Sequence, residues 1–405
     1  MTGFGFHAAP PAGHWINDPN GLVFSDARYR LFVQHRADAP DFVITGWARF
    51  SSDDLLAWEW DGEVLAADED GFAYSGSIAV GTDAAGASLD AWHTRHRPAA
   101  VPRERQFVAH SHDSGLHWSA PNGPQGPGGR NARDPYVFGH RGIRHMLVAR
   151  PCDWVDTADM SRFELASQSS SGNWSTGIDL GLEVPAGLLC EVPSLLRCGE
   201  KWLLLASFVD RTTGDAICWT GYWLGSFDGN AFEPDQPHPI RLDIGPDFYA
   251  AIANVDAGWP AERMLIGWAS SWATARRLNV PGGGSGGGIS MPRKLVVHGA
   301  ALHLAPIPAA LRHGQSLAWS DTATLTIRSN EAVLVVELGN GKLEAQRYGA
   351  AEWIWACTHI DVRIAGQLML FHDKGLVELF IGGIAMTVMI PGRQHRIDWK
   401  THDDA

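Results

Sequence analysis

Cysteine is scarce in this 405-residue chain, and the five present (Cys152, Cys190, Cys198, Cys218, Cys357) include no C-x-x-C pair. That argues against a disulfide framework or a thiolate zinc site and fits a reducing compartment. Long apolar runs are missing too, none approaching the roughly 20 residues that cross a bilayer. The start, MTGFGFH, lacks the basic residues and apolar stretch of a secretory leader, so a cytoplasmic location without a membrane partner is expected. Basic charge is in deficit: 32 Lys and Arg against 45 Asp and Glu leave a formal net charge of −13. Such a surface disfavours nucleic acid and anionic membranes as partners, and weighs mildly against a strongly anionic substrate. Long stretches of helical periodicity are hard to find.

What is present is β-type. Short apolar runs such as residues 29–35 (YRLFVQH), 143–150 (IRHMLVAR), 201–208 (KWLLLASF) and 263–269 (RMLIGWA) are punctuated by Gly, Pro, Asn and Asp. The 18 tryptophans suit a sugar site, where CH faces stack on indoles, but they suit all-β packing equally well.

Spacing is more informative. Five segments carry polar residues at strand starts: NDPNG at Asp18, YSGS at Gly76, RDPYVF at Asp134, CEVPSLL at Glu191 and DFYAA at Phe248, at intervals of 58, 58, 57 and 57 residues. An Asp or Ser followed by an aromatic recurs 40 to 42 residues after the first four anchors: Asp54…Trp58, Asp113…Trp118, Ser169…Trp174 and Asp228…Phe232. Two coincident registers mark a repeat able to hold four strands per unit. A four-stranded blade cannot bury both faces alone, and radial packing lets blades cover one another. A linear solenoid is the competitor, but nothing resembles capping repeats. The expected fold is therefore all-β: a five-bladed β-propeller over residues 1–304, then a small C-terminal β-sandwich over 305–405. Residues 281–288 (PGGGSGGG) read as a rim loop, and 305–312 (APIPAALR) as a connector. Alternating runs (LTIRS, AVLVVEL, HIDVRIA, LMLFHD, LVELFIGG, MTVMI) predict the strands of the second unit.

Three anchors carry carboxyl groups. Cleaving a glycosidic bond with retention needs two of them about 5–5.5 Å apart, one nucleophile and one proton donor. Asp18 lies in D-P-N-G, a good β-turn sequence in its own right; held in such a turn with backbone N–H partners, it would stay ionised and nucleophilic. Arg133-Asp134-Pro135 reads either as a surface ion pair opening a strand or as a charged carboxylate that binds hydroxyls. Glu191, beside Cys190 and Val192-Pro-Ser-Leu-Leu, is either a solvent-facing edge residue or a general acid whose apolar setting raises its pKa. Their common register favours one shared site.

In this order, HWINDPNG, YSGS, RDP, Glu-x-Pro and DFYA resemble glycoside hydrolase family 32, the invertases, fructan hydrolases and related fructosyltransferases. The likeness runs from His14 to about Pro306 and continues weakly into HDKGLVELFIGG. It implies that Asp18 is the nucleophile, Glu191 the acid/base and Asp134 the transition-state stabiliser, with Arg133 beside it. It further implies that Asn17, Gln34, Trp47, Tyr74, Ser75 and Trp268 contact a fructosyl unit, and that Phe42 belongs to the substrate site near the leaving-group side. The implied chemistry is double displacement on sucrose or short fructo-oligosaccharides, a small-molecule sugar partner, with no metal or organic cofactor. Departures from the family pattern are Val192 where a Cys is usual, Ala48-Arg49 after Trp47 in place of Gly-His, and Phe42 where a tryptophan is common. These bear on pH optimum and leaving-group preference. Other readings are a fructosyltransferase or exo-fructanase of the same family, a non-catalytic sugar-binding propeller, and an arabinoside- or xyloside-active propeller, which the NDPNG–SGS–RDP set disfavours.

Overall fold

The computed structural model describes residues 5–37, 45–68, 71–83, 86–129, 131–152, 160–211, 217–255, 263–278, 287–299, 301–349, 354–360 and 366–402. Among these the chain is all-β: seven antiparallel sheets, one seven-residue α-helix (Trp272–Leu278) and one 3-10 turn (Pro308–His313). Phe42, and residues 281–286 of the glycine-rich segment, lie outside the described residues.

Five sheets precede Pro306. Their first strands are Trp15–Ser25, Phe72–Asp83, Arg133–His140, Leu188–Cys198 and Tyr249–Ala253, and each sheet proceeds from its first strand by antiparallel neighbours. These first strands pack each against the next, and the fifth against the first. Side chains stitch neighbours together. Gly76 N donates to Asn20 Oδ1 at 3.1 Å, Val137 N to Ser77 Oγ at 3.0 Å, and Val192 N to Asp134 Oδ2 at 2.9 Å. Val255 N closes onto the Leu22 carbonyl at 2.9 Å. Flanked by other sheets, such strands are buried on both faces, and Trp15–Ser25 is buried through Val23.

The second register of the sequence is the hairpin between third and fourth strands. Asp54 Oδ1 accepts from Leu56 N and Ala57 N, Asp113 Oδ1 from Leu116 N and His117 N, and Asp228 Oδ1 from Asn230 N and Ala231 N. Ser169 Oγ accepts from Asn173 N in the same way. A short polar side chain thus closes each turn and the aromatic follows it.

After the connector, Gln315–Trp319, Gly366–Asp373, Leu376–Ile381 and Ile384–Met389 form one sheet; Thr322–Arg328, Val333–Gly339, Lys342–Tyr348, Trp355–Ile360 and Arg396–His402 form another. Their inner faces share a core that includes Leu325, Leu334, Val336, Leu370, Val377 and Leu379. Lys374 and Gly375, at φ 51° and 99°, make the tight hairpin between Gly366–Asp373 and Leu376–Ile381. Gln315–Trp319, Lys342–Tyr348 and Arg396–His402 are additional strands, and the connector is a strand end followed by the 3-10 turn. Residues 361–365 of the expected HIDVRIA strand lie outside the described residues.

A buried charged network joins the two parts of the chain. Arg293 donates to Asp243 Oδ2 at 2.6 Å and to Glu378 Oε2 at 2.8 Å, while His7 bridges Asp373 at 3.0 Å and Glu378 at 2.9 Å.

Candidate active site

Every first strand is irregular near its anchor. Register shifts fall between Ile16 and Gly21, Ala73 and Gly76, Glu191 and Ser194, and Tyr249 and Ile252, and opposite Asp134 between Leu147 and Ala149. A bulge re-aims the side chains beside it, and here all five irregularities sit beside the anchor motifs. Asp134, Val192 and Ala250, spaced by 58 residues, take φ of 58°, 48° and 53°. For β-branched Val192 this conformation is strained; its N–H is the donor to Asp134. Gly76 is required for a different reason: a Cβ there would collide with the Trp92 carbonyl.

The expected D-P-N-G turn is not formed. Asp18, Pro19 and Asn20 lie within the strand Trp15–Ser25. Pro19 has no N–H to give the ladder and sits where the register slips, which is where a strand tolerates proline.

A cavity of about 320 Å³ is lined by Asn17, Asp18, Gln34, Tyr74, Ser75, Arg133, Asp134 and Glu191, with Thr45, Val209, Trp272 and Arg276. Asp18 and Asp134 are 7% and 5% exposed. Ser75 donates to Asp18 Oδ2 at 2.6 Å, while Oδ1 is buried without a hydrogen-bond partner among the described residues. Burial lifts Asp18 from its ordinary 3.8 to about 6, with the Ser75 hydroxyl opposing and the charge of Glu191 adding. The low pKa expected from backbone donors in a turn is therefore corrected: the strand position buries the carboxyl instead. Burial also pushes Asp134 up, against the pull of Arg133.

Glu191 does not sit in an apolar setting. Arg133 Nη2 donates to its Oε1 at 2.9 Å and the Tyr249 hydroxyl to its Oε2 at 2.5 Å. Arg133 also reaches Glu104 at 3.3 Å, and these carboxylates outweigh burial to hold it firmly cationic. The Cys190 thiol points away, packing among residues such as Leu147 and Phe163, and burial pushes it up. It does not touch the acid it precedes.

Eight of the residues singled out from sequence thus meet at one cavity, and two others do not line it. Trp47 and Trp268 are fully buried. Trp47 Nε1 donates to the Tyr74 carbonyl at 3.1 Å, and Trp268 packs between Trp15, Tyr249 and Trp272. They back the wall. Arg49, expected near the leaving-group side, is turned to Asp61 and the Ser114 carbonyl, both at 2.8 Å. Residues the sequence reading missed are Thr45, Val209, Tyr249, Trp272 and Arg276. Tyr249 was findable, lying 58 residues after Glu191. Trp272 and Arg276 sit on the short helix, outside any repeat.

Tyr249→Phe keeps the ring against Trp268 and removes the donor to Glu191. Turnover is expected to fall about tenfold or more, as for loss of one hydrogen bond to a charged group, with unchanged thermal stability. Unchanged turnover in a steady-state assay would remove Tyr249 from the site.

Residues 7–306 match the family model "Glycosyl hydrolases family 32 N-terminal domain". The chain belongs to glycoside hydrolase family 32. It is 27% identical over 333 residues to an extracellular exo-inulinase of Aspergillus niger (71% of this chain, 60% of that one). It is 28% identical over 311 residues to a levanase of Bacillus subtilis (72% and 44%), and 30% identical over 297 to an invertase of Wickerhamomyces anomalus (67% and 52%). The chain thus spans 60% or less of these relatives' lengths. Among solved structures, a fructofuranosidase of Schwanniomyces occidentalis complexed with fructose aligns at TM-score 0.80 and 18% identity, over 98% of this chain and 94% of that one. At such identity the likeness is one of fold.

Proposed function

We propose that this chain is a retaining β-fructofuranosidase, with a five-bladed propeller over residues 1–304 as its catalytic unit and a small sandwich over 305–405. The observation that carries the reading is the convergence of Asp18, Asp134 and Glu191, from three different first strands, on one cavity of about 320 Å³. The closed order of packing among the five first strands supports the propeller. Relatives named for inulin, levan and sucrose cleavage support a terminal fructosyl bond as target.

In this mechanism Asp18 attacks the anomeric carbon through Oδ1, the oxygen that Ser75 leaves open. Glu191 protonates the departing oxygen and later takes a proton from water, so a covalent fructosyl-enzyme forms and is hydrolysed. Arg133 and Tyr249 fix the Glu191 carboxyl between them. Asp134, locked by Val192 N, receives sugar hydroxyls. Asn17, Gln34 and Tyr74 border the same fructosyl position, and Trp272 and Arg276 border the leaving group.

Incubation with sucrose, sucrose phosphate, inulin and levan, with product analysis and NMR of the first-formed anomer, tests the reading. Fructose released from sucrose with its configuration kept is the expected result. Oligomeric products at high sucrose would mark a transferase, and sucrose binding without fructose release would mark a sensor. The pH profile gives a further check. The nucleophile must be ionised, so kcat/KM on sucrose is expected to fall about tenfold per unit below its acid limb, near the value of about 6 that burial imposes on Asp18. A profile flat down to about pH 4 would contradict the assignment.

A further inference from the structure

In a chain of net charge −13, four arginines line a single cavity of about 250 Å³ at one end of the second sheet. Arg95 and Arg105 are partners across the strands Gly86–His96 and Glu104–Ser111, so their side chains share a face. Arg97 and Arg103 close the connection between these strands, Arg97 N donating to the Arg103 carbonyl at 2.8 Å. The guanidinium groups of Arg95 and Arg97 each lie 5.6 Å from the centroid of Phe107.

Asp68 pairs with Arg95. Glu104, between Arg103 and Arg105, turns to the opposite face toward Arg133 and His96, both at 3.3 Å. Arg95 is 5% exposed, and its Nε is buried with no hydrogen-bond partner among the described residues. Burial lowers its proton affinity and the charge of Arg97 lowers it further, the mark of like charges held together. Arg103 and Arg105, exposed at the mouth, add two more. Crowded guanidinium groups whose planar forks match tetrahedral oxyanions are the chemistry of phosphate recognition.

The cavity also stands beside the candidate active site. Ala73 is the register partner of Arg95, and the next two residues, Tyr74 and Ser75, line the pit. The Tyr74 ring stacks on His96 at 4.6 Å, one residue from Arg95. We propose that the Arg95–Arg97–Arg103–Arg105 cavity is a binding site for a phosphate group at the rim of the pit. The phosphate is carried either on the leaving sugar of a phosphorylated substrate or as free inorganic phosphate. The first source rests on the hydrolase reading above; the second does not.

Calorimetric titration of the full chain with inorganic phosphate, at constant ionic strength set with chloride, reads the site directly. Wild type is expected to bind, and Arg103→Gln/Arg105→Gln to bind about tenfold more weakly or worse, since each lost charge-assisted contact is worth about that much. Both arginines are exposed, so this variant is expected to fold and to cleave unmodified sucrose as wild type does. Arg95→Gln is a second variant, acting from the buried side of the same cavity. Turnover then separates the sources. A fall of about tenfold in kcat/KM confined to sucrose phosphate assigns the phosphate to the substrate. Equal turnover of both sugars, with phosphate binding lost, assigns the free anion. No phosphate binding by wild type, or equal binding by wild type and both variants, overturns the proposal. Failure to release fructose from any sugar would overturn the hydrolase reading and leave the titration to decide the site.

Discussion

Asp18→Asn is expected to lose about 10⁴-fold or more of the activity on sucrose, the scale seen when a covalent nucleophile is removed. The substitution keeps the shape of the side chain and an oxygen for the Ser75 hydroxyl, which now donates to Asp18 Oδ2 at 2.6 Å. Binding of sugar should therefore survive while turnover does not. Equilibrium titration with sucrose measures the first, and single-turnover assays with a trap for released fructose the second. Turnover comparable to wild type would take Asp18 out of its assigned role.

The same variant is expected to be more stable than wild type at neutral pH. A carboxyl whose folded pKa is raised binds its proton more tightly in the folded chain than in the unfolded one. Its contribution to stability is present below 3.8 and is lost as pH rises through about 6. The ionised Asp18 at pH 7 is thus held against a penalty of about 3 kcal/mol at most, imposed chiefly by burial. An asparagine carries no such penalty. Denaturant midpoints of the two proteins should separate near pH 7 and converge toward pH 4. Parallel curves across that range would show that the charge is not strained.

The period of the fold was legible because each unit repeats a physical demand. A polar turn residue closes the outer hairpin of each of the first four sheets, as Asp54, Asp113, Ser169 and Asp228 do, and such residues are readable one by one. The direction of side chains near the anchors was not legible, because each bulge shifts the alternation of faces and leaves no mark in composition. That is why Trp47 and Trp268 sit behind the wall rather than on it, and why Tyr249 rather than Phe248 faces Glu191. A constant step of 58 from Asp18 lands on Gly76, Asp134, Val192 and Ala250, of which Asp134, Val192 and Ala250 have positive φ. The backbone repeats more strictly than the chemistry laid over it. Local turn propensity misled at D-P-N-G, where pairing with Arg28–Arg36 and packing against the neighbouring first strands overrode it. Strands such as Lys342–Tyr348 and Arg396–His402 escaped notice because they are polar and paired by neighbours.

Arg293→Met is expected to destabilise the protein by about 3–5 kcal/mol, the cost of breaking a buried ion pair from one side. Arg293 is fully buried, and its fork reaches Asp243 at 2.6 Å and Glu378 at 2.8 Å; Thr387 Oγ1 is a further acceptor. Removing it takes away the charge that Asp243 and Glu378 share, leaving Glu378 only His7 as an ionic partner among the described residues. Arg293→Lys should recover only part of the loss, since a single ammonium cannot span both partners in the plane of the fork. His7 extends the network. Burial alone would lower its pKa, but hydrogen bonds and charge from Asp373 and Glu378 raise it overall. Its share of stability is present below 6.5 and lost as pH rises through the raised folded value, so wild type should weaken in alkali while His7→Gln changes little there. The consequence reaches the site. Ala8 pairs with Ile289, and the strand carrying Asp18 begins at Trp15, so loosening this network loosens the segment that leads to Asp18. Activity should accordingly be lost at lower denaturant than the bulk of the tryptophan signal in Arg293→Met, and together with it in wild type. Coincident loss in both proteins would confine the network to a structural role.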